Sequence, residues 1–144
     1  MGKPDMTIPG KEAPQHSDFL AWKAQLSRIA TFPRVAVKLS GIFSEVDTTT
    51  GMSKPDLVAQ QVMPWVVAVF EVFGPERVMW ASDWPVCNVG YGELDKSFQH
   101  RAWWCWRQAT KRIMWDLVQQ RKLTQQQAED VWAAVARNVY RLIE

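Results

Sequence analysis

The chain is 144 residues long, which suits one ordinary domain with a buried core. Its composition is that of a folded protein, 47% hydrophobic and 22% charged, which excludes disorder for most of its length. Seventeen basic residues against fifteen acidic residues give a formal charge of +2, and the basic residues are scattered along the chain, so no nucleic-acid partner is expected.

Cysteine usage and hydropathy both predict a reducing, soluble compartment. Cys87 and Cys105 lack C-x-x-C spacing, and the N-terminal residues have no apolar segment of the kind found in signal peptides. The most apolar run, residues 65–73, is about half of the ~20 residues that a membrane span requires. We therefore expect a cytoplasmic protein with no membrane partner.

The first part of the chain predicts a loop, a helix and a strand. Residues 1–16 contain repeated proline among polar residues, which indicates an irregular lead-in. Ser17 can cap a helix whose apolar residues recur at steps of three and four, and Pro33 ends it. Residues 34–39 are a β-branched run closed by Ser40, which predicts a strand.

The middle of the chain predicts a helix and a second strand. Residues 44–54 have loop composition, and Pro55 suits the first turn of a helix. We expect Pro64 to break this helix, and the residues after it are apolar nearly all round, as in a covered helix. Residues 78–81 show no polar alternation, which predicts a strand buried on both faces.

The last part of the chain predicts two helices. Apolar residues keep helical spacing from Phe98 to Leu117, in the longest helix of the chain. Thr124 and Gln127 have the spacing of a capping box for a final helix. The apolar stripe of that helix is Ala128, Val131, Trp132, Val135, Val139 and Leu142.

The chain is unusually rich in tryptophan, with nine residues. Trp103, Trp104 and Trp106 are nearly consecutive, so on a helix they must face at least two directions. Core packing is the expected use of most tryptophans. Sugar stacking or a membrane belt remains the alternative for the rest.

Strands that alternate with helices predict an α/β fold with a parallel sheet. A right-handed crossover makes the two predicted strands parallel neighbours. A sheet of two parallel strands has two open edges and makes a poor core. The predicted sheet therefore indicates that the chain is part of a larger fold.

Candidate functional residues follow each predicted strand, where working residues of α/β folds are found. Lys38 and Ser40 close the first strand. Asp83 follows the second, in a turn stiffened by Trp84 and Pro85 that would present its carboxylate as a general base or metal ligand. Each residue has an ordinary alternative: an Asx-turn for Asp83, a plain turn for Ser40, a solvated side chain for Lys38. Spacing alone does not decide between them.

The two strand ends also resemble a known family, the amidohydrolase-related (amidohydrolase 2) family of predicted metal-dependent TIM-barrel hydrolases. Residues 73–85 are similar to its last-strand signature and residues 37–41 to the preceding strand. Residues 136–142 are similar to its terminal helix, and residues 2–4 to a turn that follows a strand ending in Asp-His. The resemblance implies that residues 1–144 are the C-terminal portion of one domain, an incomplete (β/α)8 TIM barrel.

The resemblance implies a function like that of the sugar-acid lactonases among the family's members. Asp83 would accept a proton from the water that opens a lactone or a related ester or amide, so the partner would be a small lactone or carboxylic acid derivative. Lys38 and Ser40 would line the same mouth and meet the substrate's carboxylate or carbonyl. The pocket would also be shaped by Trp84, Asn88 and Tyr91.

The histidines depart from the family pattern. Its His-x-His motif is absent, and we expect His16 and His100 to be surface residues, since neither ends a strand. We therefore expect no cofactor in this chain, a divalent metal only in a full-length parent, and activity only with the missing N-terminal half. The alternative is a non-catalytic part-barrel that assembles with a partner chain or with itself as a homo-oligomer.

Overall fold

The computed structural model describes residues 4–42, 45, 54–88 and 102–142. This part of the chain is mostly helical with a small parallel sheet, consistent with a partial α/β domain. Its elements are α1 (Ser17–Ala30), β1 (Val37–Leu39), α2 (Pro55–Phe73), β2 (Val78–Trp80), α3 (Ala102–Gln119), α4 (Gln125–Asp130) and α5 (Ala134–Tyr140). The strands pair in parallel, Val37 opposite Val78 and Leu39 opposite Trp80, which confirms the predicted pairing.

Helix α2 is the centre of the hydrophobic core. It packs against α1 and α3 and contacts both strands. Complete burial of one large apolar side chain stabilises the fold by about 1.5–3 kcal/mol, and α2 buries Val58, Ala59, Val62, Trp65, Val66, Ala68, Val69, Phe70 and Phe73. Five members of the predicted stripe of α3 are also buried, at Ala102, Trp106, Ala109, Ile113 and Leu117, and its first member, Phe98, lies outside the described residues.

Contrary to the prediction, α2 runs through Pro64 without a break. Proline lacks the N–H that would bond to the carbonyl of Gln60, one turn earlier. Gly10 of the lead-in lies against this turn: a β carbon there would be 2.8 Å from the Gln60 carbonyl oxygen and 2.6 Å from that of Gln61. Only glycine lets the lead-in backbone approach the turn so closely.

The uninterrupted α2 is longer than the apolar run that the sequence suggested. Among the described residues it is the one helix long and apolar enough to cross a membrane. The core helix of a soluble protein passes the same test, and 44% of this stretch is buried. Its contacts with α1, α3 and the sheet fit a core helix.

Gln61 ties the lead-in to α2. Its Nε2 donates to the carbonyl oxygens of Met6 and Ile8, at 2.7 Å each, and its Oε1 accepts from the backbone N–H of Gly10 at 3.1 Å. The lead-in is irregular as predicted, apart from a 3-10 helix at Ala13–Gln15. Since Met6 and Ile8 are buried, it is part of the core.

Helix α1 begins at Ser17, but its cap differs from the prediction. The N-cap is His16, whose Nδ1 accepts from the backbone N–H of Asp18 at 3.2 Å. An imidazole nitrogen can accept a hydrogen bond as a serine oxygen does. Ser17 is instead the first helical residue.

The predicted final helix is divided into α4 and α5. Thr124 and Gln127 form the predicted capping box, but the helix stops before Val131. Val139 and Leu142 of the predicted stripe are exposed. The break has a tertiary cause in the sheet.

The chain between α4 and α5 lies against the edge of β2 that faces away from β1, and this contact explains the break in the helix. The backbone N–H of Ala81 donates to Leu39 of β1, so the N–H of Trp80 points the other way. It donates to the carbonyl oxygen of Val131 at 2.9 Å. This edge, expected to be open, is therefore partly covered by the chain between α4 and α5.

Candidate functional site

Asp83 lies just beyond the carboxyl end of β2. Pairing with β1 continues up to this point through the bond of 3.1 Å from the Ala81 N–H to the Leu39 carbonyl. A β carbon on Gly41 would be 3.8 Å from Oδ2 of Asp83. The polar ends of the two strands therefore meet, as the sequence predicted.

The backbone of Asp83 is left-handed, with φ of 59°. Few residues other than glycine adopt this conformation, and aspartate is among those that tolerate it. The turn is held on both sides: the Cys87 N–H donates to the Asp83 carbonyl at 2.8 Å, and Nε1 of buried Trp106 donates to the Ala81 carbonyl at 3.0 Å. The carboxylate thus projects from a fixed backbone.

Asp83 lines a cavity of about 470 Å³. Small-molecule sites have volumes of roughly 300–1,000 Å³, so a sugar-sized ligand fits it. Ser40, Glu45 and the backbone of Gly41 line it together with Asp83. The apolar walls include Trp22, Leu26, Leu39, Trp65 and Val69.

Glu45 is a second carboxylate that the sequence reasoning missed. It stands in a stretch whose composition predicted only a loop, without any motif around it. Its backbone N–H donates to the Ile42 carbonyl at 3.0 Å, so a turn after β1 brings it to the cavity. Only the three-dimensional structure identifies this residue.

Lys38 lines the same cavity, but its ammonium group is engaged by α5. Nζ lies 5.7 Å from the centroid of the Tyr140 ring, and a hydrogen bond with the Tyr140 side chain raises the pKa of Lys38. No motif in the sequence indicates this pairing. A contact between Lys38 and a substrate stays a prediction.

The other predicted pocket residues follow Asp83 along the chain. Trp84 is exposed directly after Asp83. Asn88 ends a 3-10 helix, Val86–Asn88, but its side chain lies outside the described residues, as does all of Tyr91. The predicted roles of these residues toward a substrate stay predictions.

Cys87 is buried beside Asp83 and is a packing residue. Burial, with a smaller contribution from the Asp83 carboxylate, raises the pKa of Cys87, and hydrogen bonds that include the Trp103 backbone oppose this only partly. The thiol is therefore protonated at neutral pH and is a poor nucleophile. Its contact with Trp103 connects the Asp83 turn to α3.

The described residues do not provide a metal centre. No three His, Cys, Asp or Glu side chains converge among them, whereas protein zinc sites use three or four such ligands. His16 is exposed and caps α1, and His100 lies outside the described residues. The described residues therefore do not fit the divalent metal ion expected of a full-length parent.

Three lactonases are among the curated relatives that this chain resembles. The L-rhamnono-gamma-lactonase of Scheffersomyces stipitis is 36% identical over 100 residues, which are 67% of this chain and 30% of that protein. The L-fucono-1,5-lactonase of Burkholderia multivorans is 41% identical over 66 residues, covering 46% of this chain and 22% of the relative. The L-fucono-1,5-lactonase of Burkholderia ambifaria is 36% identical over 88 residues, covering 60% of this chain and 26% of that protein.

The chain thus spans less than a third of the length of these relatives. No solved structure matches it. The amidohydrolase family model, however, matches residues 1–142, nearly the whole sequence. On this match, the chain belongs to the amidohydrolase family.

Proposed function

We propose that this chain carries the proton-accepting aspartate of a sugar-lactone hydrolase. The observation that carries the proposal is the position of Asp83, held at the end of β2 against Gly41 and lining the 470 Å³ cavity. The similarity to lactonases named for L-rhamnono-gamma-lactone and L-fucono-1,5-lactone supports the substrate class. The same proposal makes β1 and β2 neighbouring strands of a (β/α)8 barrel, with Asp83 on its catalytic face.

The proposed reaction is the addition of water to the lactone carbonyl. The Asp83 carboxylate accepts a proton from the water while the water oxygen attacks the carbonyl carbon of the lactone. The bond between that carbon and the ring oxygen then breaks, and Asp83 returns the proton to the departing ring oxygen. One water is consumed, and the product is an open-chain aldonic acid that ionises at neutral pH.

The fixed turn supports this role. A general base must lie within hydrogen-bonding reach of the water that it activates, so its backbone must not move away from the substrate. The Cys87 and Trp106 hydrogen bonds hold the turn on either side of Asp83. The lining of the cavity around the carboxylate is mostly apolar, as is usual for small-molecule sites.

The test is hydrolysis of L-rhamnono-gamma-lactone and L-fucono-1,5-lactone, followed by proton release and corrected for spontaneous opening. Two proteins are compared: the purified chain, and a chimera in which the chain replaces the matched segment of the Scheffersomyces stipitis lactonase. We expect hydrolysis that Asp83→Asn abolishes and that Asp18→Asn, on exposed α1, leaves unchanged. Absence of Asp83-dependent hydrolysis in both folded proteins would contradict the proposal.

A further inference from the structure

Both sequence neighbours of Asp83 line a second cavity, of about 450 Å³. We name it the tryptophan cleft, and its walls are Trp80, Ser82, Trp84, Trp103 and Arg107. It shares no lining residue with the cavity that Asp83 lines. The tryptophan cleft is therefore a separate site joined to the first through the Asp83 turn.

The walls of the cleft are aromatic and partly accessible. Trp84 is 67% exposed and Trp103 is 40% exposed. Flat indole faces in water can pack against the C–H groups of a sugar chain. Trp80 is fixed by its contact with Trp132, at 5.4 Å between ring centroids, and its buried Nε1–H has no hydrogen-bond partner among the described residues.

Arg107 gives the cleft a positive charge. It follows Trp103 by one helical turn, so both side chains lie on the same face of α3. No carboxylate of the described residues pairs with Arg107, whereas Arg112 on the same helix pairs with Asp116 at 3.1 Å. A guanidinium group has the planar donor geometry that matches a carboxylate.

The cleft is held in place relative to Asp83. Trp103 is linked to Cys87, and Cys87 donates its backbone N–H to the Asp83 carbonyl. On the other wall, the Trp84 N–H donates to Oγ of Ser82 at 3.2 Å. The cleft and the proposed base therefore belong to one connected arrangement.

We propose that the tryptophan cleft binds the aldonic acid that lactone opening releases. The carboxylate pairs with Arg107, and the hydroxyl-bearing carbon chain packs on Trp84 and Trp103. This inference rests on the proposed function, because opening a neutral lactone is what creates the carboxylate. The ligand class is a polyhydroxylated monocarboxylate, and a neutral polyol of the same length should bind more weakly.

The test is binding of L-rhamnonate to the full chain, measured by tryptophan fluorescence and by calorimetry. We expect saturable binding that Arg107→Gln and Trp103→Ala each weaken roughly tenfold or more, through loss of a charge-assisted pair or of a stacking face. Trp104→Ala is a matched control, since Trp104 is 44% exposed beside Trp103 but does not line the cleft. Lys111→Gln, on exposed α3 surface, is the matched charge control.

The outcomes separate this inference from the proposed function, since binding is measured without turnover. Saturable, Arg107-dependent binding supports the cleft even if no lactone is hydrolysed. Absence of saturable binding, or equal weakening by the two control variants, overturns it. Asp83-dependent hydrolysis together with L-rhamnonate binding that does not depend on Arg107 and Trp103 would also overturn the cleft while leaving the proposed function intact.

Discussion

Gln61→Glu should weaken the attachment of the lead-in to α2 while keeping the size of the side chain. Nε2 of Gln61 donates two bonds of 2.7 Å, to the carbonyls of buried Met6 and Ile8. An ionised carboxylate cannot donate, so both bonds are lost. The loss of two hydrogen bonds costs about 1 kcal/mol each, and the unpaired carbonyl oxygens add part of a desolvation penalty. We therefore expect the free energy of unfolding to fall by about 3 kcal/mol.

Urea unfolding at pH 7, followed by tryptophan fluorescence, measures this loss. Gln60→Glu is the matched control, because Gln60 is exposed on the same helix and the charge change is identical; its effect should stay within about 0.5 kcal/mol. As pH falls toward the ordinary glutamate pKa of about 4.3, the introduced carboxyl becomes protonated and regains one donor, so the deficit relative to wild type should shrink. Equal destabilisation by the two variants would refute the reasoning.

Three further predictions concern packing, the Asp83 turn and a buried thiol. Gly10→Ala places a β carbon 2.6 Å from a carbonyl oxygen of α2 and should destabilise the fold by about 1–3 kcal/mol in the same urea assay. Trp106→Phe removes the donor to the Ala81 carbonyl, so we expect it to lower kcat of Asp83-dependent hydrolysis more than it changes KM; an unchanged kcat would count against positioning. Burial raises the pKa of Cys105 to about 12 from its ordinary 9.0, so the thiol stays protonated in the folded state while the unfolded chain ionises. The stabilisation of the fold by the protonated Cys105 thiol is therefore complete below about pH 9 and is lost as pH rises toward 12. Over this window, Tm should fall more steeply in wild type than in Cys105→Ala.

Much of the fold was predictable because its signals are local and periodic. The stripes of α1 and α3 indicated helices, and two short apolar runs indicated strands whose ends had to meet at one edge of a parallel sheet. Asp83 and Ser40 could therefore be placed together on the amino-acid sequence alone. The errors arose where residues distant in sequence meet: Gly10 packs closely against the turn of α2 before Pro64, and the backbone N–H of Trp80 donates to the carbonyl of Val131 between α4 and α5.

The candidate site was also predictable only in part. Asp83 was recognisable because it ends a strand in a family-like segment, whereas Glu45 and Arg107 have no local motif. Trp103 reaches the Asp83 turn only because α3 packs beside it, with Cys87 between them. Such neighbours depend on the packing of whole helices, which the local sequence does not encode.

The most direct test of the central claim is the initial rate of L-rhamnono-gamma-lactone opening by the chimera with the Scheffersomyces stipitis lactonase and by the Asp83→Asn variant of that chimera. Asparagine keeps the size of the side chain and tolerates the left-handed backbone at this position, but it cannot accept the proton. With Asp83 as general base, the rate should fall by about 100-fold or more while urea unfolding stays unchanged. Rates within about twofold of each other for the two proteins would contradict the assignment of Asp83 as general base.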